Sequence, residues 1–90
     1  MHVITKKRLV EFGARYPASR DPLLKWCRIV GQTEFASFAA VRSVFRSADQ
    51  VGKLTVFDIG GNKFRIVAAI HYNRRRIYIR HVLTHAEYDK

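Results

Sequence analysis

The chain has 90 residues, enough for one compact domain with a modest core and too few for two. Hydrophobic residues make up 48% and aromatics 12%, outside the disordered range, and no apolar run approaches the length that spans a bilayer. Seventeen Lys and Arg against seven Asp and Glu give +10, so the expected partner is a polyanion, nucleic acid ahead of an acidic protein or a membrane surface. The single cysteine, Cys27, cannot form an internal disulfide, and "MHVITKKRL" lacks the apolar core of a signal peptide; both fit a cytoplasmic protein.

In chain order, "HVIT" reads as a short opening strand. Thr5 is expected to cap a helix through about Tyr16, with Leu9, Phe12 and Tyr16 on one face and Pro17 as its stop. Lys6, Lys7 and Arg8 oppose the dipole of that helix at its first turn. Asp21 is the expected N-cap of a second helix, with Pro22 in the first helical position and Gly31 as the end. Leu23, Trp26, Cys27 and Val30 then fall at i, i+3, i+4 and i+7, a buried stripe. The two helices should pack as a hairpin. The stretch "TEFASFAAVRSVFRSA", residues 33–48, is expected to form a short helix or a packed connection.

From Leu54 the period changes. "LTVFDI", "KFRIVAAIHY" and "RIYIRHVL" are rich in β-branched and aromatic residues, with "GGN" and "NRR" as turns between them. Gly60 and Gly61 supply the positive φ of a tight hairpin. The expected architecture is a single α+β domain over residues 1–90, with two N-terminal helices on a small, mainly antiparallel sheet that ends in a three-stranded meander. Parity places Phe64, Ile66, Ala68 and Ile70 toward the helices, and Arg65, Val67, Ala69 and His71 on the open face. In the last strand strict alternation groups Ile77, Ile79, His81 and Leu83, and sends Arg80 to join Arg65 on the open side.

The block "SADQVGKLTVFDIGGNKFRIVAAIHYNRRRIYIRHVLTHAEYDK", residues 47–90, resembles the HigB family of toxins from bacterial toxin–antitoxin systems, within the wider RelE-like group. "GGNKFR" and "YIRHVLTHAEYDK" are long, ungapped motifs, and the N-terminal helices fit the family in length and order. The resemblance implies a ribosome-dependent messenger-RNA endonuclease, held inactive by a helix-turn-helix antitoxin of the HigA type. The residue before "IGGNK" is usually asparagine in the family, where this chain has Asp58. Some members continue past "EYDK"; here Lys90 would carry the terminal carboxylate.

Cutting RNA without a metal uses the 2′-OH as an internal nucleophile. Its proton must leave, charge on the phosphorane must be stabilised, and the departing 5′-oxygen must be protonated. Arginine suits the charge, and histidine suits the proton transfers. Arg65 and Arg80 are therefore expected at the scissile phosphate, with His85 as proton-transfer group and Tyr88 stacking on a base or aiding proton transfer. Lys63 and Lys90 are expected at flanking phosphates, and Arg74, Arg75 and Arg76 at ribosomal RNA by general electrostatics. No metal or other cofactor is expected: a zinc site at His81-x-x-x-His85 would need Asp89 or Glu87 to complete it, and Cys27 reads as core. His81 shares parity with Ile77 and Ile79 and so reads as a core histidine unless a bulge re-aims it. "GGNK" lacks the spacing of a phosphate-binding loop. Two competing readings use the same cations: a module that occupies RNA or the ribosome without cutting, and a subunit whose basic face meets an acidic protein.

Overall fold

The computed structural model describes residues 1–89, so Lys90 lies outside the described residues. A short strand β1 (His2–Ile4) leads into helix α1 (Lys7–Arg15), a single 3-10 turn (Pro17–Ser19) and helix α2 (Arg20–Gly31). Helix α3 (Phe38–Val44) follows, then strands β2 (Asp49–Val51), β3 (Leu54–Ile59), β4 (Phe64–His71) and β5 (Arg76–Thr84), and a final turn of helix α4 (His85–Tyr88). The five strands form one sheet in the order β1-β5-β4-β3-β2. Only β1 and β5 run parallel; the other neighbours are antiparallel.

This is the expected α+β, RelE-like arrangement, with local differences. Thr5 does not cap α1: it sits at φ 73°, Lys6 takes the N-cap position, and the side chain makes no capping bond. Helix α2 starts one residue ahead of Asp21, with Ser19 at the cap position; the Ser19 hydroxyl donates to the Tyr16 carbonyl at 2.6 Å. Asp21 still lies in the first turn, where its charge favours the helix dipole. The meander also gains an edge strand, because "DQV" folds back on β3 around Gly52 at φ 62°.

One face of the sheet carries the core. Trp26 of α2 meets Phe57 of β3 edge-on at 5.2 Å, Phe45 meets the same ring at 5.2 Å, and Phe12 of α1 meets Phe64 at 5.6 Å. Val30, Val41, Ile66 and Ile77 are fully buried between them. Burying such side chains contributes on the order of 1.5–3 kcal/mol each, which holds the three helices to this face.

The open face is set by register. Arg65 stands opposite Asp58 on β3 and Leu83 on β5, and Val67 stands opposite Val56 and His81. The β4–β5 ladder slips between Val67 and Ala68, which pair with His81 and Ile79, so Arg80 is the extra residue of a bulge. The bulge inverts parity beyond it. Val82 packs toward the core, while His81 is exposed on the open face, contrary to strict alternation.

Candidate active site

Arg65 is the centre of the site. The four-residue loop 60–63, with Gly60 at φ 64° and Gly61 at φ 76°, pairs Ile59 with Phe64 and therefore brings Asp58 opposite Arg65. Arg65 is only 6% exposed, and an unpartnered cation so deep would be costly. Its Nε lies 3.0 Å from Asp58 Oδ1. Nη1 donates to the carbonyls of Asn62 and Phe64, each at 3.1 Å. Nη2 donates to Asn62 Oδ1 at 2.7 Å and meets His85 Nδ1 at 2.9 Å. These partners match the five N–H groups of a guanidinium, so none is left for a phosphate in this arrangement.

Helix α4 closes the other side. Thr84 Oγ1 accepts from the Glu87 N–H at 3.2 Å and Glu87 Oε1 accepts from the Thr84 N–H at 2.9 Å, a reciprocal cap that starts the helix where β5 ends. The His85 N–H also donates to the Lys63 carbonyl at 2.8 Å, tying α4 to the β3–β4 loop. His85 and Tyr88, three residues apart, share a helix face and both reach Arg65. The guanidinium carbon lies 5.6 Å from the Tyr88 ring centroid, within cation–π range. His85 Nε2 lies 2.8 Å from Asp89 Oδ2, and both of those side chains are about half exposed.

The remaining candidates divide by position. Lys63 is exposed and adjoins His85 through that backbone bond. Arg80 is exposed on the bulge, three residues before Leu83, which pairs with Arg65; at ~3.3 Å per residue that is roughly 10 Å along the strand. Among the described residues the Arg80 side chain has no hydrogen-bond or ion-pair partner. Arg74, Arg75 and Arg76 are exposed at the far end of the β4–β5 hairpin, roughly 20 Å from Arg65 at the same rise, and Arg75 lies 3.8 Å from Glu34. The structure thus brings Arg65, His85, Tyr88 and Lys63 together and keeps the arginine turn apart. Lys90 is outside the described residues. No group of three or more His, Cys, Asp or Glu converges as a metal site among the described residues.

Sequence reasoning missed Asn62 and the contacts that Asp58 and Asp89 make. That of Asp58 was accessible, since a four-residue loop between Ile59 and Phe64 makes Asp58 and Arg65 a cross-strand pair of opposite charge. Asp89 follows His85 at i+4, the spacing of an ion pair on a helix. The bulge also left a trace, because the core-facing residues Ile77, Ile79 and Val82 are spaced by two and then by three.

Comparison with known proteins agrees with this fold. Residues 19–90 match the HigB_toxin family, described as the RelE-like toxic component of a toxin–antitoxin system. The chain is 33% identical over 93 residues to the mRNA interferase HigB of Escherichia coli O6:H1, covering all of this chain and 90% of that protein. It is 35% identical over 92 residues to the mRNA interferase toxin HigB of Escherichia coli K12, covering 99% of this chain and 88% of that protein. The mRNA interferase HigB of Shigella flexneri matches to the same extent. With most of its length matched by the family and its whole length by relatives above 30% identity, the chain belongs to the HigB family of RelE-like toxins.

Proposed function

We propose that this protein is an endoribonuclease that cuts messenger RNA on the ribosome and is neutralised by a HigA-type helix-turn-helix antitoxin. The observation that carries the reading is the convergence of His85 and Tyr88 on one buried arginine, beside exposed Lys63, in a chain whose relatives are named mRNA interferases. In the proposed reaction the 2′-oxygen loses its proton and bonds to phosphorus, the P–O5′ bond breaks, and the 5′-oxygen takes up a proton. The products are a 2′,3′-cyclic phosphate and a 5′-hydroxyl, and the chemistry proceeds without a metal or other cofactor.

Arg80 is proposed to bind the scissile phosphate, because it is exposed and has no partner among the described residues. Arg65 shapes the site from beneath, His85 meets the reacting phosphate, and Tyr88 stacks on a base or assists proton transfer. Lys63 and Lys90 hold flanking phosphates. The distant Arg74, Arg75 and Arg76 bind ribosomal RNA, and a second cationic surface away from the cleavage end supports ribosome dependence.

The test is induced expression with and without the neighbouring gene, followed by primer extension on the message. Growth arrest with discrete cuts, relieved by the neighbouring gene and abolished in His85→Ala, is the expected result. Binding of message and ribosomes without new 5′ ends would instead establish the non-cleaving module.

A further inference from the structure

Resting on that functional reading, we infer that Asp58 and Arg65 are positioning residues which fix His85 in the tautomer protonated at Nε2. His85 then meets RNA as a hydrogen-bond donor to the phosphate and not as the base.

The chemistry follows from which groups can donate. A guanidinium has donors and no acceptor, so the 2.9 Å approach of Arg65 Nη2 to His85 Nδ1 requires a lone pair on Nδ1. The neutral ring then carries its proton on Nε2, which lies 2.8 Å from the Asp89 carboxylate, a pure acceptor. Both ring nitrogens are thus assigned by their neighbours. The alternative tautomer would set two N–H groups against each other beside Arg65 and leave two lone pairs facing at Asp89.

Arg65 can impose this because it cannot turn away. Asp58 holds Nε, the Asn62 and Phe64 carbonyls hold Nη1, and Asn62 Oδ1 takes the second hydrogen of Nη2. Only one N–H remains, and it points at His85. Asp58 therefore does more than depart from the family's usual asparagine. It orients the guanidinium whose last donor orients the histidine. Asp89 is exposed and occupies the Nε2–H only until a phosphate oxygen replaces it as acceptor. The base for the 2′-OH is consequently a group other than His85.

Two measurements test this. Long-range proton–nitrogen correlation on the free wild-type protein, in the pH range where the His85 ring is neutral, should show Nδ1 unprotonated and Nε2 protonated. A dominant Nδ1–H form would overturn the inference, whatever the protein cuts. In Asp58→Ala the two tautomers should mix, and Asp58→Asn, which keeps an acceptor for Nε–H, should restore the wild-type pattern; an unchanged pattern in Asp58→Ala overturns the role of Asp58.

The second measurement is cleavage on translating ribosomes. A glutamine at position 85 supplies an amide N–H near the Nε2 position and no base. His85→Gln should lose about 10-fold where His85→Ala loses about 1,000-fold, the scale of removing a donor to a developing oxyanion. Equal loss in the two variants would show that His85 works through its lone pair and would overturn the donor role. Absence of cleavage by the wild-type protein would sink the nuclease reading alone, since the tautomer is read without RNA.

Discussion

Two arginines on neighbouring strands look alike in the sequence and differ in almost every physical respect in the fold. Arg65 stands where β3, β4 and α4 meet, 6% exposed, with a partner for each N–H. Arg80 stands on the β4–β5 bulge, exposed and without a polar partner among the described residues. A cation that is already satisfied has little reason to exchange its partners for a phosphate, because each exchange leaves a buried group unpaired. An exposed and unpaired one gives up only water. The difference underlies the proposal that the first arginine serves structure and the second substrate.

The largest expected effect breaks the comparison on the Arg65 side. Arg65→Met leaves Asp58 without its cation; removing one partner of a buried pair costs about 3–5 kcal/mol, and with the Asp58 side chain 24% exposed the cost here is expected at the lower end. For a domain of this size the melting temperature should fall by roughly 12–24 °C, read by circular dichroism. A fall of only a few degrees would mean that the enclosure around Arg65 is loose. Next, Arg80→Ala should leave the melting temperature within about 2–4 °C of wild type, as for other exposed sites worth ~0.5 kcal/mol or less. Its cleavage should drop about 100-fold, as when a donor to the reacting phosphate is removed.

Smaller effects sharpen the contrast away from the cleavage end. Replacing Arg74, Arg75 and Arg76 together by Ala should weaken ribosome binding uniformly. It should also flatten the salt dependence of affinity, by roughly 0.7–0.9 in log–log slope for each phosphate that is no longer neutralised. Cleavage of message at saturating ribosome concentration should change little. The smallest effect is at His81: because the bulge turns it outward, His81→Ala should shift stability by less than about 0.5 kcal/mol in a urea titration. A loss of several kcal/mol would restore the core position that strict alternation assigns to it.

Much of this fold was legible because its signals are local. The stripe from Leu23 to Val30, the stop at Pro17 and the glycines at Gly60 and Gly61 all follow from spacing or from backbone conformations few residues accept. Where the reading failed, the cause was pairing between segments. Thr5 looks like a cap until β1 is tied to β5, after which the chain must turn at φ 73° to enter α1. "DQV" carries too few residues to announce a strand and forms one because β3 offers it an edge. His81 changes face because one residue is inserted into a ladder whose far side is buried. The candidate site shows the same division. Residue types named Arg65, His85 and Tyr88, but the order in which they touch depends on hairpin register and on the cap that starts α4 at Thr84.

The contrast between the two arginines is tested most directly by primer extension on translating ribosomes with Arg65→Lys and Arg80→Lys. A lysine keeps the charge and loses the planar fork. At position 80, where charge on a phosphate is what matters, cleavage should stay within about 10-fold of wild type. At position 65, where directed N–H groups hold Asp58, Asn62 and His85 in place, it should fall about 100-fold or more. The reverse order, or equal losses at the two positions, would contradict the assignment of one arginine to structure and the other to substrate.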